Sequence, residues 1–176
     1  MKKEYFYNLP LTSTFLISIQ VTIMKHVSPL VCLLLFSYCT FGQTEKESQQ
    51  IVGEILFATE KYNKTWETLD MEKVAQYHSD SSFRYYRNMK LGVGSNDEFK
   101  KQMPKYMNAL KSWKMEVSNP VVQVLDKNAA VIGFTGKAEM VTKDHKISDF
   151  GTGAYTYVWK KLNDEWRIVH IHESTK

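Results

Sequence analysis

The chain has 176 residues, 43% of them hydrophobic and 13% aromatic, with 23 basic and 19 acidic side chains and a net charge of +4. That is ample apolar material for one packed domain and excludes a disordered chain. The near balance of charge gives no reason to expect a nucleic acid partner.

The N-terminal segment stands apart. Met24-Lys25-His26 forms a basic n-region ahead of an apolar h-region from Pro29 to Phe41, rich in leucine. Thr40-Phe41-Gly42 puts small residues at the two positions a signal peptidase reads. Residues 1–42 therefore read as an N-terminal extension and signal peptide, with Met24 as the true start and cleavage after Gly42. The stretch from Phe15 to Ile23 is too short for a membrane span, which needs about 20 apolar residues. A retained anchor from Leu9 to Phe41 would be interrupted by Lys25, His26, Ser28 and Pro29. The expected product is an exported protein, periplasmic or secreted. Cys32 and Cys39 both fall in the removed segment, so neither a disulfide framework nor thiol chemistry is expected. Removing three lysines and one glutamate with it leaves a net charge of +2.

Residues 43–176 read as a single domain. Between Glu45 and Leu69, apolar residues at Ile51, Ile55, Ala58, Tyr62, Trp66 and Leu69 recur in steps of three and four, one stripe of a long helix. Asp70 is an N-cap for a short second helix, Met71 to Tyr77, and Ser82 to Asn88 reads as a strand. Ser95 and Glu98 form a capping box for a third helix running toward Leu110, with Pro104 as a kink or break. Four strands follow, Lys114–Leu125, Ala129–Thr142, Lys146–Leu162 and Trp166–Ser174, separated by turn residues such as Asn163-Asp164. Helices followed by a meander give an α+β plan, with one curved antiparallel sheet wrapped around the long N-terminal helix to form a cone with a cavity.

The last strand carries the most chemistry. In Trp166 to Ser174 a period of two puts Trp166, Ile168, His170 and His172 on one face, the two imidazoles about 6.6 Å apart. If Asn163-Asp164 is a two-residue turn, Leu162 opposes Glu165 and the register follows. Trp159 then faces Ile168, Tyr157 faces His170, and Tyr155 faces His172. Asp149 joins the same face unless a bulge at Gly151 or Gly153 shifts the count. The expected ligand-binding wall is thus Tyr155, Tyr157, Trp159, His170 and His172, with Asp149 and His170 as candidate catalytic groups. His170-x-His172 offers two nitrogen ligands, with Asp149 or His78 as a third, but a histidine pair without an evident third ligand is a weak signal, so no metal or cofactor is assigned. In the first strand Arg84 and Tyr86 alternate with Tyr85 and Arg87, and periodicity does not say which pair points inward.

Together, Asn119 to Ile132 (N-P-V-V-Q-V-L-D-K-N-A-A-V-I), Tyr157-Val158-Trp159 and the W-R-I-V-H-I-H-E-S tail resemble the nuclear transport factor 2-like superfamily. Within it the chain is most similar to the association domain of calcium/calmodulin-dependent protein kinase II and to SnoaL-like domains. The resemblance implies a cone-shaped α+β fold, a homodimer or larger homo-oligomer, and functions ranging from inert hubs to isomerases and dehydratases. Kinase association domains carry pocket arginines on the two long middle strands; Gly136 and Tyr157 stand at those positions here, so that anion-binding pair is missing. The expected function is an exported small-molecule-binding or accessory domain. One alternative is a ketosteroid isomerase-like isomerase or dehydratase, with Asp149 as base and tyrosine or histidine donors. Another is an oligomeric scaffold using an outer sheet face that bears Val158, Val169 and Ile171.

Overall fold

In the computed structural model of the protein, residues 29–175 are described, with side chains at 45–147 and 151–175. Residues 1–28, which hold Met24 and the basic n-region expected of a signal peptide, lie outside the described residues. The chain divides into two compact units, Met1–Glu45 and Lys46–Lys176. No described helix is long and apolar enough to cross a membrane.

Helix α1 spans Pro29–Trp66. Within the second unit its apolar stripe is the one the spacing predicts as far as Trp66, while Leu69, at φ 55°, lies beyond the end of the helix. Ile51, Ile55 and Tyr62 are buried, and Ala58 and Trp66 are half-buried against the core. Glu54 fastens this face to the sheet by accepting from the Trp166 indole at 2.7 Å and pairing with Lys161 at 3.6 Å. Asp70 caps α2 (Met71–Ala75) by accepting from the Lys73 amide. Ser95 caps α3 (Asn96–Met107) by accepting from the Glu98 amide, while Glu98 reaches back to the Gly94 amide at 2.7 Å. Pro104 lies inside α3, which continues for another three residues instead of breaking there.

The strands are β1 (Arg84–Arg87), β2 (Lys90–Val93), β3 (Leu110–Asp126), β4 (Ala129–Thr142), β5 (Ile147–Leu162) and β6 (Glu165–Thr175). They form one six-stranded sheet in the order β2-β1-β6-β5-β4-β3, giving the α+β architecture the sequence predicts. The sheet is mixed where an antiparallel one was expected, because β1 lies parallel to β6. The short hairpin β1–β2 supplies a strand that periodicity did not reveal, four residues being too few to show it.

The hairpin register is correct as far as Trp159 and then changes. Asn163 and Asp164 both have positive φ, 51° and 62°, the two-residue turn that matches the twist of a hairpin, and Leu162 pairs with Glu165. Trp159 pairs with Ile168 as expected, but Val158 pairs with His170, leaving Val169 as an extra residue. Past this bulge Tyr157 faces Ile171 and Tyr155 faces Glu173. One inserted residue moves every later side chain of β6 to the other face. The bulge falls where β6 changes partner. Ile168 exchanges backbone hydrogen bonds with Tyr77 and Ser79 after α2, and from His170 onward β6 pairs with β1.

Candidate functional site

The concave side of the sheet encloses a cavity of about 480 Å³, within the range of small-molecule sites. Tyr62 and Trp66 of α1 form one wall, and Phe99, Met103 and Met107 of α3 form another. The sheet contributes Met115 from β3, Ala138 and Met140 from β4, Tyr155 and Tyr157 from β5, and Ile171 and Glu173 from β6. The lining is mainly aromatic and methionine, a surface that accepts flat apolar rings and adapts to their outline. Gly136 makes room for one of its walls. A Cβ there would stand 2.9 Å from the Tyr155 ring, which instead stacks on Phe134 with ring centroids 5.3 Å apart.

One end of the cavity is polar. The Tyr85 hydroxyl donates to Glu173 Oε2 at 2.5 Å, and Arg87 Nε pairs with Glu173 Oε1 at 3.3 Å. The structure therefore settles the alternation in β1: Tyr85 and Arg87 face the cavity, while Arg84 and Tyr86 are exposed. Glu173 is the carboxylate that lines the cavity among the described residues. The phenols around it stay protonated at neutral pH. Burial first, then the Glu173 charge, raises Tyr85 well above the ordinary phenol range and pushes Tyr155 up to about 12. Burial likewise raises Tyr62 and Tyr157. These hydroxyls act as hydrogen-bond donors, which leaves Glu173 as the lining group able to accept a proton.

The residues expected from the sequence divide. Tyr155 and Tyr157 line the cavity. Trp159 shares their face but is completely buried in the core behind it. His170 and His172 do not line it, because the Val169 bulge turns them to the opposite face. There His170 lies beside Arg84 and stacks on Tyr86 at 5.4 Å, and burial followed by the neighbouring His172 lowers its pKa. Ile171, expected on the outer face, is buried on the inner one for the same reason. Asp149 pairs by backbone register with Glu139. Gly151, at φ 69°, marks the irregularity that shifts the count, and the Asp149 side chain lies outside the described residues. The sequence reading missed Glu173, since parity put it on the wrong face. The only available signal was the alternation Ile171-x-Glu173, which becomes meaningful once the bulge is known.

His78 has a different role. It is buried and stacks on Phe83 with centroids 3.8 Å apart. Asn96 donates through Nδ2 to Ala75 O and Asp80 Oδ1, so its Oδ1 accepts from His78 Nδ1–H at 3.1 Å. His78 Nε2 is then the acceptor for the Tyr62 hydroxyl, at 3.0 Å. Both ring nitrogens are engaged, so His78 is a neutral structural link between α1, α2 and α3. Burial lowers its pKa to about 3 against the weaker opposing effect of Asn96. Among the described residues, no group of three or more His, Cys, Asp or Glu side chains is arranged to hold a metal.

A long helix held against the concave side of a mixed six-stranded sheet is the cone-shaped fold of the nuclear transport factor 2-like superfamily. Residues 52–176 match the family model of the calcium/calmodulin dependent protein kinase II association domain, and the chain belongs to that family. A Xanthomonas campestris protein, a candidate association domain of the same kind, shares 21% identity and superposes with a TM-score of 0.62 over 70% of this chain and 86% of its own. A nuclear transport factor 2-like protein from Salmonella enterica shows 21% identity and a TM-score of 0.64, covering 73% of this chain and 92% of its own. A candidate scytalone dehydratase from Novosphingobium aromaticivorans, 12% identical, reaches 0.65 over 75% of this chain and 88% of its own. At these identities the likeness establishes the fold. None of the curated proteins compared with the chain matches it.

Proposed function

We propose that the domain binds a small, largely apolar ring compound in the cavity beneath the sheet, with an oxygen function directed at its polar end. The observation that carries this reading is the cavity itself: about 480 Å³, walled by aromatics and methionines, with Tyr85, Arg87 and Glu173 gathered at one end. The neutral fluorophore N-phenyl-1-naphthylamine is expected to bind saturably with enhanced emission. Met140→Trp, which places an indole in the cavity, should weaken binding at least about tenfold, or about 1.4 kcal/mol, without loss of the folded far-UV spectrum. Equal affinity for both proteins would end the proposal.

A second reading, an isomerase or dehydratase, is favoured by a mostly buried carboxylate among protonated phenols. Here Glu173 takes the part of proton acceptor and Tyr85 or Tyr155 that of donor. The likeness to a candidate dehydratase supports it at the level of fold.

The sequence reading further supports an exported protein that self-associates. Purified from its native source, the protein is expected to begin at Gln43 and to scatter light as a dimer or larger assembly. A retained N-terminus would overturn export, and a monomer at high micromolar concentration would overturn self-association.

A further inference from the structure

We propose that the oxygen function received at the polar end of the cavity is an uncharged hydroxyl, which accepts from the Tyr155 hydroxyl and donates to the Glu173 carboxylate. This rests on the ring-compound reading of the cavity and makes the ligand a phenol or a cyclic alcohol, in place of a ketone, an ether or a carboxylate.

Most hydroxyls that line the cavity are committed within the chain. Tyr62 donates to His78 Nε2 at 3.0 Å, Tyr157 to Asn63 Oδ1 at 3.3 Å and Tyr85 to Glu173 Oε2 at 2.5 Å. Tyr106 is 66% exposed, so water serves it. Tyr155 differs from all of these. It is only 6% exposed, and its hydroxyl has no hydrogen-bond partner among the described residues. It lines the cavity and is not one of the polar atoms sealed away from it. The ring is also held in place. It stacks on Phe134, and its Cε2, the carbon next to the one that carries the hydroxyl, lies over the facing pair Gly136 and Gly153, where a Cβ would come within 2.9 and 3.1 Å. A buried donor without an acceptor is costly and uncommon, and one that faces a cavity points to an acceptor on the ligand.

The neighbour of Tyr155 decides which acceptor. Tyr155 pairs across the strands with Glu173 and both line the cavity, a register that sets their Cβ atoms about 4.5–5.5 Å apart. Glu173 already receives Tyr85 on one oxygen and Arg87 on the other, but each carboxylate oxygen has a second lone pair to offer. A donor and an acceptor therefore stand side by side. A ketone or ether oxygen would satisfy Tyr155 and turn its own lone pairs toward the Glu173 carboxylate. A ligand carboxylate would add a second negative charge beside the first, in surroundings that screen it poorly. A hydroxyl accepts and donates at one atom, so it serves both residues, and its bond to the carboxylate is of the stronger, charge-assisted kind.

Naphthalene, 2-naphthol, 2-methoxynaphthalene and 2-naphthoate share one ring system and differ at the oxygen function. Each is set to displace N-phenyl-1-naphthylamine from the protein at pH 7. 2-Naphthol should bind at least about tenfold more tightly than the other three, the effect of one hydrogen bond to a charged group. Tyr155→Phe, which keeps the ring and its stack on Phe134, should cut the ratio of 2-naphthol to naphthalene affinity about tenfold. Glu173→Gln should reduce the preference for 2-naphthol over 2-methoxynaphthalene and raise the affinity for 2-naphthoate about tenfold, since the opposing charge is gone. Equal displacement by 2-naphthol and 2-methoxynaphthalene, or an unchanged 2-naphthol to naphthalene ratio in Tyr155→Phe, would overturn the hydroxyl assignment and leave the cavity reading standing. A wild-type protein that takes up none of the fluorophore would overturn both.

Discussion

Between pH 6.5 and about 3 the protein is expected to lose folding stability at up to about 1.4 kcal/mol per pH unit on account of one side chain, His78. In the folded state its pKa is lowered to about 3, and in the unfolded chain it returns to 6.5. Across that window the unfolded state binds the extra proton, so the contribution is complete above pH 6.5 and drains away as the pH falls toward 3. The physical reason is the site. Protonation would place a cation among Phe83, Phe99 and Tyr62 and take from Tyr62 the lone pair that receives its hydroxyl. Carboxylates elsewhere also respond to acid, so the diagnostic quantity is the difference from a variant. His78→Gln should cost about 2–3 kcal/mol at pH 7 through lost stacking and hydrogen bonding, and should show a visibly flatter pH slope. Urea unfolding at several pH values measures both. Parallel slopes for the two proteins would show that His78 does not titrate as described.

The second large effect is expected at Glu173. Replacing it with leucine removes the acceptor of the Tyr85 hydroxyl and a partner of Arg87, and should destabilise the protein by about 2–3 kcal/mol. The contribution of Arg87 is discounted because its side chain is 41% exposed, whereas that of Glu173 is only 13% exposed. Glu173→Gln keeps an acceptor oxygen and should cost about 1 kcal/mol. The sharper measurement is a double-mutant cycle. Tyr85→Phe combined with Glu173→Leu should be less destabilising than the sum of the single changes by about 1–2 kcal/mol, because each single change leaves the other group buried without its partner. Additive effects would mean that the 2.5 Å contact contributes nothing specific.

Glu173 lines the cavity although parity put it on the opposite face. Periodicity put Tyr155 and Tyr157 on the face that lines the cavity, because β5 runs without interruption from Gly153 to Leu162 and alternation survives along an unbroken strand. It failed for His170, His172 and Glu173, all of which lie beyond the Val169 bulge. A bulge adds one residue without leaving a compositional mark. The residues flanking Val169 are ordinary strand formers, and nothing in their chemistry distinguishes a slipped register from an unslipped one. Gly151 was recognisable as a place where the count could shift, since glycine tolerates its positive φ, but the direction of the shift was not.

The sequence by itself determined the helix caps at Asp70 and Ser95, the apolar stripe of α1, the turn at Asn163-Asp164 and the α+β plan. Each of these depends on side chains a few residues apart, so local chemistry is sufficient. Tertiary structure alone decided which end of the cavity is polar. That depended on β6 leaving its contact with the end of α2, bulging at Val169 and pairing in parallel with β1, a sequence of partners that brings Tyr85 and Arg87 together with the distant Glu173. Contacts of that range are set by how the whole sheet assembles, and a period of two carries no information about them.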